Sequence, residues 1–250
     1  MRDQIKIGKM FVVFLIAIAS ATHAGQVRVA VATNFLATLK VLAPIYEQQS
    51  GDQLIISAAS SGKLFAKIMN GAPYDLFLSA DRHYPDRLIE KNRASACSRF
   101  LYAKGVLVLW SRVEQSIDES SLHASEVKHI AIANPKIAPY GAAAQQVLEK
   151  VGLLDNVKPK LVQGESIGQA FQFVVSGNAQ LGFVALSQVL NPNNHSNNKY
   201  YWRIPADYHT PIDQEAVLLK HGENNAAAQG FLNFLKSDVA SNVISQYGYH

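Results

Sequence analysis

Residues 26–59 read QVRVAVATNFLATLKVLAPIYEQQSGDQLIISAA and contain three successive secondary-structure patterns. Residues 26–32 and 53–59 are short runs rich in Val, Ile and Ala, of a kind typical of strands. Residues 35–49 between them place apolar side chains at helical spacing, and Gly51 follows as a helix stop. Strands that alternate with helices favour an α/β fold whose sheets are mostly parallel.

The same alternation continues through the rest of the chain. Further strands are predicted at residues 74–80, 105–110, 130–133, 160–162, 181–186 and 215–219. Further helices are predicted at residues 63–69, 82–91, 142–151, 168–175, 226–235 and 240–247. Pro44 is expected to kink or break the first helix. Residues 191–199 (NPNNHSNNK) are expected to form a polar surface loop.

The composition excludes several classes of protein. The chain has 250 residues, of which 48% are hydrophobic and 17% are charged, and these values exclude a disordered or collagen-like chain. The length fits one large domain or two lobes of roughly 100 residues each. Lys and Arg number 23 against 19 Asp and Glu, but they form no basic run. Nucleic acid is therefore not an expected partner.

The first 24 residues have the three parts of a secretory signal peptide. Lys and Arg side chains precede an apolar run at residues 10–19, and Thr22 and Ala24 are small residues suited to cleavage before Gly25. A membrane anchor is the alternative, but the apolar run is well short of the ~20 residues that a spanning helix needs. We therefore expect a soluble, exported protein that begins near Gly25.

Five short segments follow predicted strands, and four of them consist of small, neutral residues rich in hydrogen-bond donors at a probable helix start. The five segments are Thr33-Asn34, residues 60–62, Ala80-Asp81, residues 139–141 and residues 165–168. Parallel α/β sheets bind ligands beyond the carboxyl ends of their strands, where helix starts present unpaired N–H groups. Together these segments predict an anion site. Taken singly, their Ser, Thr and Asn residues are also ordinary helix N-caps.

A second pattern indicates a different chemistry. Residues 164–168 (GESIG) fit the G-x-S-x-G nucleophile elbow, which would make Ser166 the nucleophile of a secreted hydrolase. Asp207 with His209, or Asp213 with His221, would supply the remaining members of a triad in the matching chain order. No glycine-rich oxyanion segment precedes the motif, which weakens the hydrolase interpretation.

Other candidate groups are isolated. Asp75 and Asp81 bracket a predicted strand and could act as an acid–base pair, or could cap a turn and a helix. The His residues are scattered and form no metal-binding motif. Cys97 is the only cysteine, and we expect it to be a partly buried small hydrophobe.

A longer segment carries a family resemblance. Residues 70–81 (NGAPYDLFLSAD) resemble the G-A-P-x-D-L-F-x-S-A-D segment of molybdate-binding proteins from bacterial ABC importers, which are type II periplasmic binding proteins. Further similar segments follow the order of that family: VATNF (31–35), ASSG (59–62), PYG (139–141), GESIGQA (164–170), LGFVAL (181–186) and SQYGY (245–249). The resemblance covers nearly all of the mature chain.

The resemblance implies a two-lobed periplasmic binding protein with the ligand in the cleft. Residues 26–104 and 213–250 would form lobe 1, residues 105–212 would form lobe 2, and two strands would cross between them. The lobes would close on the ligand, and the membrane permease of the importer would recognise the closed form. The protein would be a periplasmic monomer that is not an enzyme and has no cofactor.

The resemblance also assigns the contacts with a tetrahedral oxyanion, molybdate or tungstate. Thr33 and Asn34 would bind it after the first strand, and Ser61 would bind it at the second helix start. Tyr140 and Ile167 would each contribute a backbone N–H. The only metal implied is the molybdenum or tungsten of the oxyanion itself.

The chain departs from the family pattern at two places. Many members have Ser at the position of Asn34, and many have a ligand Tyr where this chain has Ala185 or Leu186. The donor-only character of the segments still suits a fully deprotonated dianion. Sulfate is also acceptor-only, so a protein of the same fold that binds sulfate or a small carboxylate is the alternative.

Overall fold

The structure is a computed structural model that describes residues 24–113, 116–192 and 200–250. The predicted signal peptide, apart from Ala24, lies outside the described residues, and so do residues 193–199 of the predicted polar loop. Among the residues described, no helix has both the length and the apolar character needed to cross a membrane.

The described chain alternates between strands and helices. The strands are β1 (Gln26–Ala32), β2 (Gln53–Ala59), β3 (Leu76–Leu78), β4 (Phe100–Gly105), β5 (Leu107–Trp110), β6 (Ile130–Ala133), β7 (Leu161–Gly164), β8 (Leu181–Ala185), β9 (Tyr201–Arg203) and β10 (Ile212–Leu218). The α-helices are α1 (Leu36–Ser50), α2 (Ser61–Met69), α3 (His83–Glu90), α4 (Pro139–Lys150), α5 (Leu154–Val157), α6 (Ile167–Val175), α7 (Leu186–Val189), α8 (Ala226–Phe234) and α9 (Asp238–Gln246).

The strands form two five-stranded sheets. The first has the order β2-β1-β3-β10-β4 and the second has the order β7-β6-β8-β5-β9. In the first sheet β1 is parallel to β2 and β3, and β10 is antiparallel to both its neighbours. In the second sheet β6 is parallel to β7 and β8, and β5 is antiparallel to both its neighbours. Each sheet is therefore mostly parallel with one reversed strand, which confirms the predicted α/β class.

The chain passes between the two sheets at two adjacent places. β4 ends at Gly105 and β5 begins at Leu107, while β10 returns to the first sheet at Ile212, which pairs with Gly105. The predicted strand over residues 105–110 is confirmed as β5, which begins two residues later at Leu107, whereas β4 was not predicted. The two strands belong to different sheets, because the chain crosses from one sheet to the other between Gly105 and Leu107.

Each sheet has its own hydrophobic core. Trp110, Phe183 and the apolar face of α4 lie in the core around the second sheet. The core on one face of the first sheet contains residues of β1 together with α1, α8 and α9. A smaller cluster on its other face packs Leu64 of α2 and Leu88 of α3 against β1, β3 and β10.

Two local expectations were wrong. Helix α1 continues through Pro44 without a break, because Leu39, Leu42 and Tyr46 on both sides of the proline are buried in the same core. Cys97 is exposed rather than partly buried, since it lies in a short 3-10 turn on the surface. The predicted stop at Gly51 is confirmed, with φ +79° and a hydrogen bond from its N–H to Glu47 O.

Candidate functional site

The five predicted site residues line one small cavity between the two sheets. The cavity has about 180 Å³ of atom-free space. Its lining consists of Ala32, Thr33, Asn34, Ser60, Ser61, Ala80, Ala138, Pro139, Tyr140 and Ile167. All five segments that follow strands in the sequence contribute to this lining, the last of them through Ile167.

The fold brings these residues together through strand ends and helix starts. Thr33 and Asn34 directly follow β1, and Ser61 is the first residue of α2 after β2. Tyr140 lies in the first turn of α4, and Ile167 is the first residue of α6. The first three come from the first sheet and the last two flank the second sheet, so the cavity is formed by both halves of the molecule.

Four backbone N–H groups at this cavity have no acceptor among the described residues. They belong to Asn34, Ser61, Tyr140 and Ile167, and no described residue accepts a hydrogen bond from any of them. The last three stand in the first turn of a helix, where N–H groups have no intrahelical partner. Unpaired donors at buried positions are costly. Their concentration around one cavity therefore indicates a bound acceptor.

The hydroxyls of Thr33 and Ser61 add donor capacity. Ser61 Oγ accepts a hydrogen bond from Ala80 N at 3.0 Å, and Thr33 Oγ1 accepts one from Gly168 N at 3.1 Å. Each hydroxyl keeps its own proton for a further bond. The backbone N–H of Thr33 already donates to Ala59 O at 3.2 Å, so the hydroxyl is the donor that Thr33 has left.

Ser60 is a functional candidate that the sequence prediction did not single out. It is 3% exposed, it lines the cavity, and no described residue bonds its hydroxyl. It also occupies the N-cap position of α2, yet its side chain does not cap the helix. The sequence shows two adjacent serines at a helix start. Only the structure shows that the side chain of the first one makes no capping hydrogen bond to the helix.

The Asn34 side chain bonds other protein groups through its Nδ2, while its Oδ1 is buried with no partner among the described residues. Its Nδ2 donates to Gln214 Oε1 at 2.7 Å and to Tyr249 OH at 3.1 Å. Its backbone carbonyl accepts from Tyr249 OH at 2.8 Å and from Ser187 Oγ at 3.0 Å. In this arrangement the backbone N–H of Asn34 remains for the cavity, and its side-chain amide is bonded to Gln214 and Tyr249.

Several contacts cross the cavity from one half of the molecule to the other. Gly62 N donates to Ile137 O at 2.9 Å, and Lys63 Nζ lies 2.7 Å from Glu165 Oε2 at the rim. The contact of Thr33 with Gly168 spans the same gap. The structure therefore has the two sheets in a closed arrangement around the cavity.

The cavity lining is neutral, and the carboxyl of Asp81, which is adjacent to it in the chain, is held in a capping role. Asp81 follows the lining residue Ala80, and its Oδ1 accepts from Tyr84 N at 3.1 Å at the start of α3. Burial raises the pKa of Asp81 above its ordinary value of 3.8, and the hydrogen bonds from Tyr84 N and Ser79 Oγ oppose that rise. A lining made of neutral donors suits an anion that only accepts hydrogen bonds.

Asp75 is not a partner of Asp81. Asp75 is 1% exposed, and its two oxygens are bonded by Arg28 N at 2.7 Å and His221 Nδ1 at 2.8 Å. The two carboxyls lie at opposite ends of β3, so the acid–base pair considered above does not form.

The motif residue Ser166 acts as a helix cap. Its Oγ accepts from Gln169 N at 3.3 Å at the start of α6. The proposed triad histidines are engaged elsewhere, His209 with Thr210 O and His221 with Asp75. In the described part of the chain, no group of three or more His, Cys, Asp or Glu side chains could hold a metal ion.

Comparison with known proteins places this geometry in a family. The profile of the bacterial extracellular solute-binding protein family matches residues 27–250. The molybdate-binding protein ModA of Azotobacter vinelandii is 47% identical over 234 residues, which cover 93% of this chain and 92% of that protein. The molybdate-binding protein ModA of Rhodobacter capsulatus is 40% identical over 246 residues, which cover 98% and 96% of the two chains.

A solved structure agrees with the sequence relatives. The periplasmic molybdate-binding protein of Azotobacter vinelandii superposes with a TM-score of 0.85 at 42% identity, covering 90% of this chain and 98% of that one. The two-sheet α/β fold is therefore that of a periplasmic binding protein. The relatives are binding proteins rather than enzymes. The chain belongs to the family of bacterial extracellular solute-binding proteins, together with these molybdate-binding relatives.

Proposed function

We propose that this protein binds molybdate, and tungstate with it, as the extracytoplasmic component of an ABC importer. The names of the relatives, at 47% and 40% identity over nearly the whole chain, support this ligand. The observation that carries the proposal is the set of four unpaired backbone N–H groups around one neutral cavity. Molybdate is the transported ligand in this proposal and not a cofactor.

The chemistry of the lining favours a fully deprotonated tetrahedral dianion. Molybdate and tungstate offer only acceptor oxygens at neutral pH, and the hydroxyls of Thr33, Ser60 and Ser61 add donors to the four N–H groups. Phosphate keeps a proton at that pH and needs an acceptor. Sulfate is smaller, so it leaves one or two buried donors unpaired, each at a cost of ~1–3 kcal/mol.

Binding is coupled to closure of two lobes. Lobe 1 comprises residues 26–104 and 213–250, and lobe 2 comprises residues 105–212. Donors from both lobes contact one anion, so the anion shifts the population towards the closed arrangement. An inner-membrane permease then recognises the closed form. The protein works as a monomer in the periplasm, after cleavage of the signal peptide near Ala24-Gly25, and it catalyses no reaction.

The test is thermal unfolding of the mature protein with molybdate, tungstate, sulfate and phosphate in separate samples. An anion at a hundred times its dissociation constant stabilises the folded state by ~2.7 kcal/mol, which is several degrees for a protein of this size. We expect this shift with molybdate and tungstate and little shift with the other two anions.

Other outcomes identify the alternatives. A shift with sulfate or a small carboxylate alone would assign the fold to a different ligand. Ester hydrolysis that is lost in Ser166→Ala would favour the secreted hydrolase. The absence of a shift with all four anions contradicts the oxyanion assignment.

A further inference from the structure

A buried amide lies beneath the cavity, where the chain crosses between the sheets. Gln214 is 0% exposed and is the third residue of β10, close to the crossing point at Ile212. The pairing of β10 with β4 shifts register between Gln214 and Glu215, so Tyr102 on β4 is an extra residue opposite them. Such bulges redirect side chains next to binding sites. Here the bulge allows Tyr102 OH to reach Gln214.

The amide of Gln214 joins groups from both halves of the molecule. Its Oε1 accepts from Asn34 Nδ2 at 2.7 Å and from Tyr102 OH at 3.0 Å, both within the first half. Its Nε2 donates to Tyr140 OH at 3.3 Å, which belongs to the second half. An amide is the side chain that can accept from the first two groups and donate to the third.

Tyr140 connects this amide with the cavity. Its backbone N–H is one of the four unpaired donors, while its side chain is 1% exposed and reaches the crossing strands. The phenol oxygen lies against Gly105, where an added Cβ would be only 2.2 Å from it. Burial raises the pKa of Tyr140 well above 10, so the phenol is neutral at physiological pH.

We propose that Gln214 is a positioning residue. It sets the separation between the groups of the two lobes that donate hydrogen bonds to the anion. It fixes Asn34 on one side of the cavity and Tyr140 on the other without touching the anion. A rigid separation suits an anion of one size, so Gln214 contributes to the discrimination between molybdate and the smaller sulfate. This inference rests on the proposed function.

The first test compares two phenol deletions on the same amide. Tyr140→Phe keeps the backbone N–H at the cavity and removes the link between the halves, whereas Tyr102→Phe removes a link within the first half. We expect Tyr140→Phe to lower molybdate affinity about tenfold and sulfate affinity less, so that the affinity ratio falls. Tyr102→Phe is the matched control and should leave the ratio within about twofold of that of the wild type. Titration calorimetry measures both affinities.

The second test changes the charge of the amide position. Protonated Gln214→Glu can accept and donate like the amide, whereas the ionised carboxylate loses the donor and repels a dianion. Burial raises the pKa of such a carboxyl. We therefore expect at least a tenfold loss of molybdate affinity at pH 8 and recovery towards the wild-type value at pH 5.5. The wild type, measured at the same two pH values, corrects for titration of Asp81.

The outcomes separate this inference from the proposed function. A wild-type protein that does not bind molybdate refutes the proposed function. If the wild type binds molybdate, the inference is overturned when Tyr140→Phe keeps the molybdate-to-sulfate ratio. It is equally overturned if Gln214→Glu binds equally well at both pH values. Tyr140→Phe leaves a decisive measurement even if Gln214→Glu fails to fold.

Discussion

Ser60 and Ser61 are neighbours in the chain, but they differ in what they contribute to the folded protein. Ser61 Oγ accepts from the buried N–H of Ala80, so it supports the fold as well as the cavity. The Ser60 hydroxyl is buried and no residue that the structure describes bonds it, so it adds no hydrogen bond to the anion-free fold. A residue that is costly for the fold and faces a cavity is expected to contribute to binding.

The two serines therefore respond differently to substitution by alanine. Ser60→Ala should leave the free energy of unfolding of the anion-free protein unchanged or slightly higher, and should weaken molybdate binding by ~1–2 kcal/mol. Ser61→Ala should weaken binding by a similar amount and also destabilise the anion-free protein, because Ala80 N loses its acceptor. Urea unfolding without anion and calorimetry with molybdate measure the two effects.

A control variant accompanies these two. Ile167→Val keeps the backbone N–H at the start of α6 and should bind molybdate nearly as the wild type does. Equal affinity in Ser60→Ala and the wild type would remove Ser60 from the site.

Asp81 gives the stability a pH dependence. Its pKa in the folded protein is raised above 3.8 by burial, so ionisation is less favourable in the folded than in the unfolded state. The contribution of Asp81 to the free energy of unfolding is most favourable below pH 3.8, and it is lost as the pH rises through the pKa of the folded state. Asp81→Asn keeps an acceptor for Tyr84 N. Because asparagine does not ionise, the variant should not lose stability as the pH rises. We expect a melting temperature a few degrees higher at pH 7 and equal to the wild type near pH 3.

The comparison variant for Asp81 is Asp155→Asn, at an exposed position of α5. It should leave the difference in melting temperature between pH 3 and pH 7 as it is in the wild type. A flat response of Asp81→Asn, identical to that of Asp155→Asn, contradicts the assigned role of burial.

At the residue scale, the sequence could predict which residues supply hydrogen-bond donors to the cavity. It could not predict which protein groups their side chains bond. Thr33, Ser61, Tyr140 and Ile167 follow strands or start helices, which is a local property of the sequence. The orientation of Asn34 depends on Gln214 and Tyr249, which are 180 and 215 positions away in the chain. No local pattern contains that information.

At the scale of elements, helix α2 and the segment before α4 meet across the cavity through a glycine. A Cβ on Gly62 would lie 2.9 Å from both Ile137 Cβ and Ile137 O, and 2.5 Å from Tyr84 OH. Gly62 thereby allows α2 to approach the opposite half closely enough for its N–H to bond Ile137 O.

Gly62→Ala should hold the two halves apart while both cores remain packed. We expect molybdate affinity to fall at least tenfold, with a much smaller change in the unfolding midpoint of the anion-free protein. Calorimetry and circular dichroism measure the two quantities, and Lys67→Ala on the exposed side of α2 is the control. Wild-type affinity in Gly62→Ala means that closure does not need this contact.

The order of elements was predictable, whereas one sheet boundary was not. Alternating apolar runs and helical spacing indicated most strands and helices, because those periodicities are local. The division into β4 and β5 depends on which distant strands they pair with, namely β10 and β8. The short helices α5 and α7 were also missed, since four residues are too few for a helical period to be recognised.

At the scale of the whole molecule, we expect closure to depend more on the anion than on surface charges. The ion pair of Lys63 with Glu165 crosses the rim, but its side chains are 48% and 56% exposed. Exposed pairs contribute about 0–1 kcal/mol. Lys63→Met should therefore change molybdate affinity less than about fivefold, as measured by calorimetry; a loss of a hundredfold would make this pair a main determinant of closure.

Scattering in solution gives a direct measure of closure. Molybdate should reduce the radius of gyration of the wild-type protein and have a smaller effect on Gly62→Ala. An unchanged radius of gyration in the wild type at saturating molybdate would show that the lobes do not close on the anion.

Tyr249 has a practical consequence for anyone who builds a molybdate sensor from this protein. Tyr249 is 3% exposed, and its hydroxyl bonds Asn34 O and Ser187 Oγ, two groups that also bond each other. The backbone of His250 pairs with Lys104 in both directions, at 2.7 and 3.2 Å. Removal of Tyr249 and His250 would therefore disturb the groups that hold Asn34 at the cavity, and a fluorophore is better attached away from these two residues.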